Sequence, residues 1–155
     1  MAEQNRSTLK ATALQNYVIA FENLNADNLE KGLGKLLAEQ VFFKDPFNAV
    51  TGRTETLAIF KHMFATLKSP KFKVISAAQD QNNPQIGLLY WQFNFVLPSN
   101  SSAQEIDGMS RVSFDNSGLV IAHIDYWDAG EQVYAKVPVL GWGIRQVIKR
   151  LAASS

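Results

Sequence analysis

The stretch AHIDYWD, residues 122–128, places an imidazole and a carboxylate where an alternating strand usually carries apolar side chains. A regular strand directs His123, Asp125 and Trp127 to one face, because successive side chains point to opposite sides. An imidazole held by a carboxylate has a fixed tautomer and leaves one ring nitrogen for a ligand or for proton transfer. A buried His–Asp pair can also be structural, but burying two titratable groups for packing alone is costly. We therefore expect this face to line a pocket.

Two further residues are candidates for acid–base chemistry. Asp45 ends the strand-like stretch VFFKD and precedes Pro46. It could accept backbone N–H bonds in the turn that leads to residue 52, or it could face the pocket and shuttle a proton. Tyr17 lies among the apolar positions of an N-terminal helix. It is either a core aromatic with a satisfied hydroxyl or a donor to a developing enolate oxygen.

Composition excludes several other classes of function. The 15 Lys and Arg against 14 Asp and Glu give a net charge of +1, which provides no basic field for nucleic acid. The chain has no cysteine, and its second histidine, His62, belongs to no cluster with metal-ligand spacing. We therefore expect no metal and no cofactor. No apolar run approaches the ~18 residues of a spanning helix, so we expect no membrane partner and a cytoplasmic location.

The 155 residues, 46% of them hydrophobic, suit one domain with a substantial core, spanning 1–155. Apolar spacings of three and four predict helices, and alternation between turn-forming stretches predicts strands. The predicted helices cover 8–24, 29–37 (capped by Asp27) and 57–67, and the predicted strands cover 41–45, 71–79, 85–97, 103–114 and 118–128. Residues 131–155 are expected to form a C-terminal helical extension. This order predicts an α+β fold in which a curved, mixed or antiparallel sheet wraps around the N-terminal helices as a cone.

Four stretches of the sequence, in this order, resemble the nuclear transport factor 2-like superfamily and, within it, the SnoaL-like and ketosteroid isomerase-like branch with its cystatin-like roll. They are the first helix with its inward Tyr followed by LNADNLEKGLGKLL, then FKDPF, GRTETLAIF and VSFDNSGLVIAHIDYWD. The resemblance covers residues 8–128. It implies the fold more firmly than the activity, because this fold hosts isomerases, cyclases, hydrolases, dehydratases and proteins without activity.

The resemblance also implies roles for individual residues. Ketosteroid isomerases use an Asp base beside an oxyanion hole made from a Tyr and a protonated Asp. Asp45 matches the base and Tyr17 matches the tyrosine, whereas Ser110 replaces the protonated Asp. Asp107 is nearby, but a shift of three residues changes the strand face, so Asp107 can substitute only if the strand has a bulge. Limonene epoxide hydrolases share the fold and use an Asp–Arg–Asp set, but the same alternation places Arg111 on the outer face.

The resemblance therefore implies a pocket for a small apolar or carbonyl-bearing molecule. The expected catalytic residues are Asp45, His123, Asp125 and Tyr17, acting in a cofactor-independent isomerase or cyclase by proton transfer next to a carbonyl. The expected pocket lining includes Phe43, Phe60, Met63, Ser110 and Trp127. The alternative is a non-catalytic ligand-binding or dimeric interaction module of the same fold. A homodimer is expected through the outer sheet face, since apolar residues occur on both faces of the strand GLLYWQFNF.

Overall fold

The structure is a computed structural model and describes residues 2–98 and 101–134. The helices are α1 (Ala2–Glu22), α2 (Arg53–Thr66) and the single turn α3 (Ala129–Gln132), with a 3₁₀ turn at Leu33–Leu36. The strands are β1 (Leu37–Lys44), β2 (Ala49–Thr51), β3 (Lys68–Gln79), β4 (Ile86–Val96), β5 (Ala103–Phe114) and β6 (Val120–Tyr126). The rest of the predicted C-terminal extension lies outside the described residues.

The prediction of a second α-helix over 29–37 is wrong. The chain there forms turns followed by the 3₁₀ turn, and Gly34 donates its N–H to the carbonyl of Leu29. Asn25, rather than Asp27, provides the cap, because its side-chain oxygen accepts the N–H groups of Asp27 and Asn28. Three of the four leucines of this segment are nevertheless buried and Leu36 is half-buried, which explains why their spacing resembles one face of a helix.

All six strands form one sheet in the order β2-β1-β6-β5-β4-β3. β1 and β6 are parallel, and every other neighbouring pair is antiparallel. The four predicted strands after residue 70 are confirmed, and the DNSG turn joins β5 to β6 as a hairpin. The short strand β2 was not predicted, because three residues are too few to show a period.

The sheet has an inner face, which α1 and α2 cover, and an outer face. On β5, Ile106, Gly108 and Ser110 alternate as buried inner positions with the exposed Asp107 and Met109. The inner faces of β1, β4 and β6 contribute a core of aromatic and aliphatic side chains that the helices complete with Leu14, Tyr17, Phe21, Leu57 and Phe60. Burial of these side chains is the main force that holds the helices on the sheet.

This α+β arrangement, a curved and unclosed sheet with helices on one side, confirms the predicted fold. The parallel pairing of β1 with β6 brings the end of the first strand beside the final strand, so Phe43 is paired with His123. The topology therefore joins the two segments that carry the candidate aspartates. No described helix combines the length and the hydropathy that a bilayer-spanning segment needs.

Candidate active site

A cavity of about 300 Å³ lies between the inner sheet face and α2. Its described lining is mostly aromatic and aliphatic, and its polar members are Asp45, Asn48, His62, Thr66 and Asp125. This volume is at the small end of the roughly 300–1,000 Å³ that is typical of ligand pockets. The cavity therefore suits a small and largely apolar molecule.

Asp125 brings a carboxylate from β6 to this cavity. Its Oδ1 accepts the hydroxyl of Ser110 at 2.5 Å and lies 2.7 Å from Nε2 of His123. Ser110 is its direct partner across the β5–β6 pairing, and His123 precedes it by two residues on the same strand face. Every buried side-chain nitrogen and oxygen of the described residues has a partner, and no described group bonds Oδ2 of Asp125. Oδ2 is thus accessible from the cavity.

Tyr17 extends this network behind the carboxylate. Its hydroxyl lies 2.8 Å from Nδ1 of His123, and both side chains are 1% exposed. A neutral imidazole with its proton on Nε2 satisfies every group, since Tyr17 then donates to Nδ1 and Nε2 donates to Asp125. A doubly protonated ring would leave the Tyr17 hydroxyl hydrogen without an acceptor among the described residues, at a cost of about 1–3 kcal/mol. The donor count therefore favours a hydrogen bond from Nε2–H of a neutral imidazole to the Asp125 carboxylate.

The Tyr17 hydroxyl is suited to remain a donor. Burial, with the nearby negative charge of Asp125, raises the pKa of Tyr17 well above its usual range. The ring of His123 is fixed as well, because it stacks on Phe21 with centroids 5.3 Å apart and on Phe43 at 5.2 Å. These contacts hold the imidazole in the orientation that presents Nε2 to Asp125.

Trp91 completes the network from the other side. Its indole N–H donates to the Ser110 hydroxyl at 2.7 Å, which directs the serine hydrogen toward Asp125. Gly108 is the direct partner of Trp91 across the β4–β5 pairing, and a Cβ at Gly108 would come within 2.6 Å of the indole ring. The missing side chain is what lets the indole cross β5 and reach Ser110.

Asp45 also lines the cavity, but its carboxylate holds a turn. Oδ1 accepts the N–H of Phe47 at 2.7 Å and the N–H of Asn48 at 2.6 Å, and the Asn48 amide donates to both oxygens. The turn places Phe47 against Trp127, with ring centroids 5.3 Å apart. The hydrogen bonds of Asp45 are those expected for a turn residue. The turn itself lies on the wall of the cavity.

The other expected site residues fall into two groups. Phe43, Phe60, Met63 and Trp127 line the cavity. Ser110, His123 and Tyr17 do not line it, because Ser110 and His123 lie behind Asp125 and donate to it, and Tyr17 lies behind His123. The sequence does not reveal the contribution of Trp91, because the contact depends on the register of β4 on β5, and local patterns do not specify that register.

Residues on the outer face do not reach the cavity. Arg111 donates to the Ser113 hydroxyl on its own strand, so it is not part of an Asp–Arg–Asp set with Asp125. Within the described part of the chain, no three histidine or acidic side chains are grouped so as to hold a metal ion. The described lining contains no lysine or arginine either.

Comparison of the sequence with protein families gives one clear result. Residues 18–123 match the model of the SnoaL-like domain, and the chain belongs to this family. The matched range runs from the last five residues of α1 through β1 to β5 and ends at His123 in β6. A comparison with curated proteins finds no match.

Solved structures share the fold at low sequence identity. A candidate polyketide cyclase from Xanthomonas campestris pv. campestris is 14% identical, with a TM-score of 0.68 over 81% of this chain and 95% of that one. A protein with a ketosteroid isomerase-like fold from Catenulispora acidiphila, in complex with trimethylamine, is 12% identical, with a TM-score of 0.66 over 84% and 95%. An LEH-like epoxide hydrolase from M. tuberculosis is 13% identical, with a TM-score of 0.64 over 96% of each chain.

Proposed function

We propose that the protein binds a small, largely apolar molecule in the cavity and acts on it by cofactor-independent proton transfer, with Asp125 as the general base. The observation that carries this proposal is the asymmetry of the Asp125 carboxylate. Oδ1 accepts two protein donors, whereas Oδ2 accepts none from the described residues, and Asp125 lines a largely apolar cavity. A carboxylate fixed on one side and free on the other is positioned to take a proton from a bound molecule.

The suitable reactions remove a proton from carbon next to a carbonyl or a protonated imine, as in isomerisation or cyclisation. Enolate formation also benefits from a donor to the developing oxygen. Tyr17, which the family resemblance assigned to that role, donates to His123 instead. In this proposal Tyr17, His123 and Ser110 are positioning residues, which orient Asp125 and do not touch the substrate.

Solvent deuterium exchange tests the proposal without a known substrate. The protein is incubated in D₂O with a panel of small cyclic ketones and cyclic imines, and NMR follows deuterium uptake next to the C=O or C=N group. We expect uptake above the buffer rate, and a loss of about 10²–10⁴-fold in Asp125→Asn. Asp107→Asn removes an equal charge from the outer face and should leave the rate unchanged. Uptake that is equal in the Asp125 and Asp107 variants would refute the proposed base.

A second candidate function is ligand binding without turnover. The observation in its favour is that Tyr17, which matches the tyrosine of the oxyanion hole, and Ser110, which replaces the protonated Asp, both donate to other side chains. A binding protein would show saturable ligand binding with no deuterium uptake above buffer. The same exchange experiment, combined with calorimetry on the same probes, separates the two functions.

We also propose that the outer sheet face forms a homodimer. Tyr90, Met109 and Tyr126 are neighbours across three strands, and Leu88 extends the apolar surface. Exposed apolar groups in a continuous patch favour self-association. Sedimentation should give about twice the 17.3 kDa mass of the chain, and Met109→Glu should halve it. Asn94→Glu, on the same face of β4, is the control; a monomeric unmodified protein would contradict the proposal.

A further inference from the structure

The carboxylate at the cavity has no countercharge among the described residues. The donor count favours a neutral His123, and no described lysine or arginine lines the cavity. Asp125 is nevertheless only 15% exposed. A carboxylate in such surroundings is costly unless an opposite charge compensates for it. A positive charge on a ligand would therefore offset the cost of the Asp125 carboxylate.

The lining is also poor in free hydrogen-bond donors. The Trp91 indole donates to Ser110, the Asn48 amide donates to Asp45, and the Thr66 hydroxyl donates to the carbonyl of His62. The His62 side chain is exposed, so it does not serve the buried part of the cavity. A ligand that only accepts hydrogen bonds would face the lone pairs of Asp125 without a buried donor to offset them.

Aromatic residues make up nearly half of the residues that line the cavity. Eight of the seventeen lining residues are Phe or Trp, namely Phe43, Phe47, Phe60, Phe72, Trp91, Phe93, Phe95 and Trp127. The negative face of an aromatic ring attracts a cation, and the attraction grows when water is excluded. The same rings provide apolar contact for hydrocarbon groups.

We propose that the ligand of this cavity is a small organic cation, such as a protonated amine, with an N–H group directed at Oδ2 of Asp125. The positive nitrogen supplies the missing countercharge, and its hydrocarbon part packs against the aromatic wall. Charge-assisted hydrogen bonds of this kind are roughly twice as strong as neutral ones. This inference deepens the proposed function and rests on its premise that the cavity binds a small molecule.

Three probes with one carbon skeleton separate the possible ligand chemistries. Cyclohexylamine is a cationic donor, cyclohexanol is a neutral donor, and cyclohexanone is an acceptor alone. Isothermal titration calorimetry at neutral pH should give the tightest binding for the amine, by about 10-fold over the ketone, with the alcohol between them.

Asp125→Asn provides a sharper test, because it inverts the polarity of the site. Ser110 and the His123 Nε2–H both donate to Oδ1, so the asparagine oxygen should occupy that position and its NH₂ group should face the cavity. We expect amine affinity to fall at least ~10-fold while ketone affinity rises. Asp107→Asn, with the same change in net charge, should alter neither affinity.

The possible outcomes separate this inference from the proposed function. The inference is supported if the unmodified protein binds the amine more tightly than the ketone and Asp125→Asn binds the ketone more tightly than the amine. Tightest binding of the ketone to the unmodified protein, or amine binding that Asp125→Asn leaves unchanged, overturns the inference but leaves the cavity as a ligand site. Failure of all three probes to bind at millimolar concentration overturns both, because molecules of this size would then not enter the cavity.

Discussion

Asp45 and Asp125 lie on the wall of the same cavity but differ in what holds them. Asp45 accepts two backbone N–H groups and the amide of Asn48, all within three residues of it in sequence. Asp125 accepts donors only from side chains, and Tyr17 and Trp91 support those donors from other elements. Asp45 is held by local contacts that stabilise a turn. The Asp125 carboxylate is oriented by a side-chain network from three strands and one helix, which no turn requires.

Two other aspartates show that the arrangement at Asp45 is a general turn device. Asp80 accepts the N–H groups of Asn82 and Asn83, and Asp115 accepts those of Ser117 and Leu119. Asp side chains commonly cap turns in this way. Asp125 does not share this pattern. Asp45 and Asp125 both lie on the cavity wall, so their hydrogen-bond partners, and not their positions, distinguish the two candidate bases.

The largest expected effect separates Asp45 from Asp125 directly. Asp125→Asn should reduce deuterium uptake by about 10²–10⁴-fold, since the base is lost. Asp45→Asn should retain most of the uptake, because an asparagine oxygen still accepts the N–H groups of Phe47 and Asn48. NMR exchange rates for both variants make the test. An equal loss in both would mean that Asp45 acts in the chemistry as well as in the turn.

Gly108→Ala should disturb the Asp125 network through packing alone. The added methyl would lie 2.6 Å from the Trp91 indole and 2.9 Å from Cβ of Trp127, so the Trp91 indole must move. Overpacking of this kind typically costs about 1–3 kcal/mol. Urea unfolding should report the loss of stability, and near-UV circular dichroism should report the altered tryptophan environment. Gly130→Ala, outside the network, is the control; an unchanged near-UV spectrum in Gly108→Ala would exclude a role for the close approach.

Tyr17→Phe should have a smaller effect on stability. Phenylalanine keeps the ring contacts with Phe21 and Phe114 but leaves Nδ1 of His123 without a donor. We expect a loss of ~1–2 kcal/mol in the free energy of unfolding. Tyr126→Phe, at an exposed position on the outer face, should be neutral. Equal stability of both variants would indicate that another group or water satisfies the imidazole.

The sequence predicts the strands and their faces better than it predicts the network. Alternation in AHIDYWD was sufficient to place His123 and Asp125 on the inner face, because that argument needs only one strand. It could not reveal that Ser110 pairs with Asp125, or that Trp91 reaches Ser110 over Gly108. Those contacts depend on the register of three strands, which local patterns do not determine.

The same limit applies to Tyr17, for which two interpretations stayed open, and explains the error in the second helix. The family resemblance aligns Tyr17 with a residue that faces a pocket, but its hydroxyl is hydrogen-bonded to His123. In the segment before β1, leucine spacing alone could not distinguish a helix from a series of turns that buries the same side chains. Tertiary burial decides such short segments, and propensity is a weak guide to them.

The smallest expected effect concerns the turn aspartates and appears only in acid. Desolvation would raise the pKa of Asp115, but bonds from the Ser117 side chain and from the N–H groups of Leu119, Ser117 and Gly118 outweigh it and lower the pKa from its usual 3.8. A lowered folded-state pKa contributes stability above the unfolded value, and that contribution is lost as pH falls through the folded value. Urea unfolding should therefore show that Asp115→Asn is less stable than the unmodified protein at neutral pH, and that the difference shrinks below about pH 4. If the Asp115 difference is the same at every pH, the turn is stabilised by the shape of the side chain and not by its charge, and the turn aspartates differ from Asp125 in geometry alone.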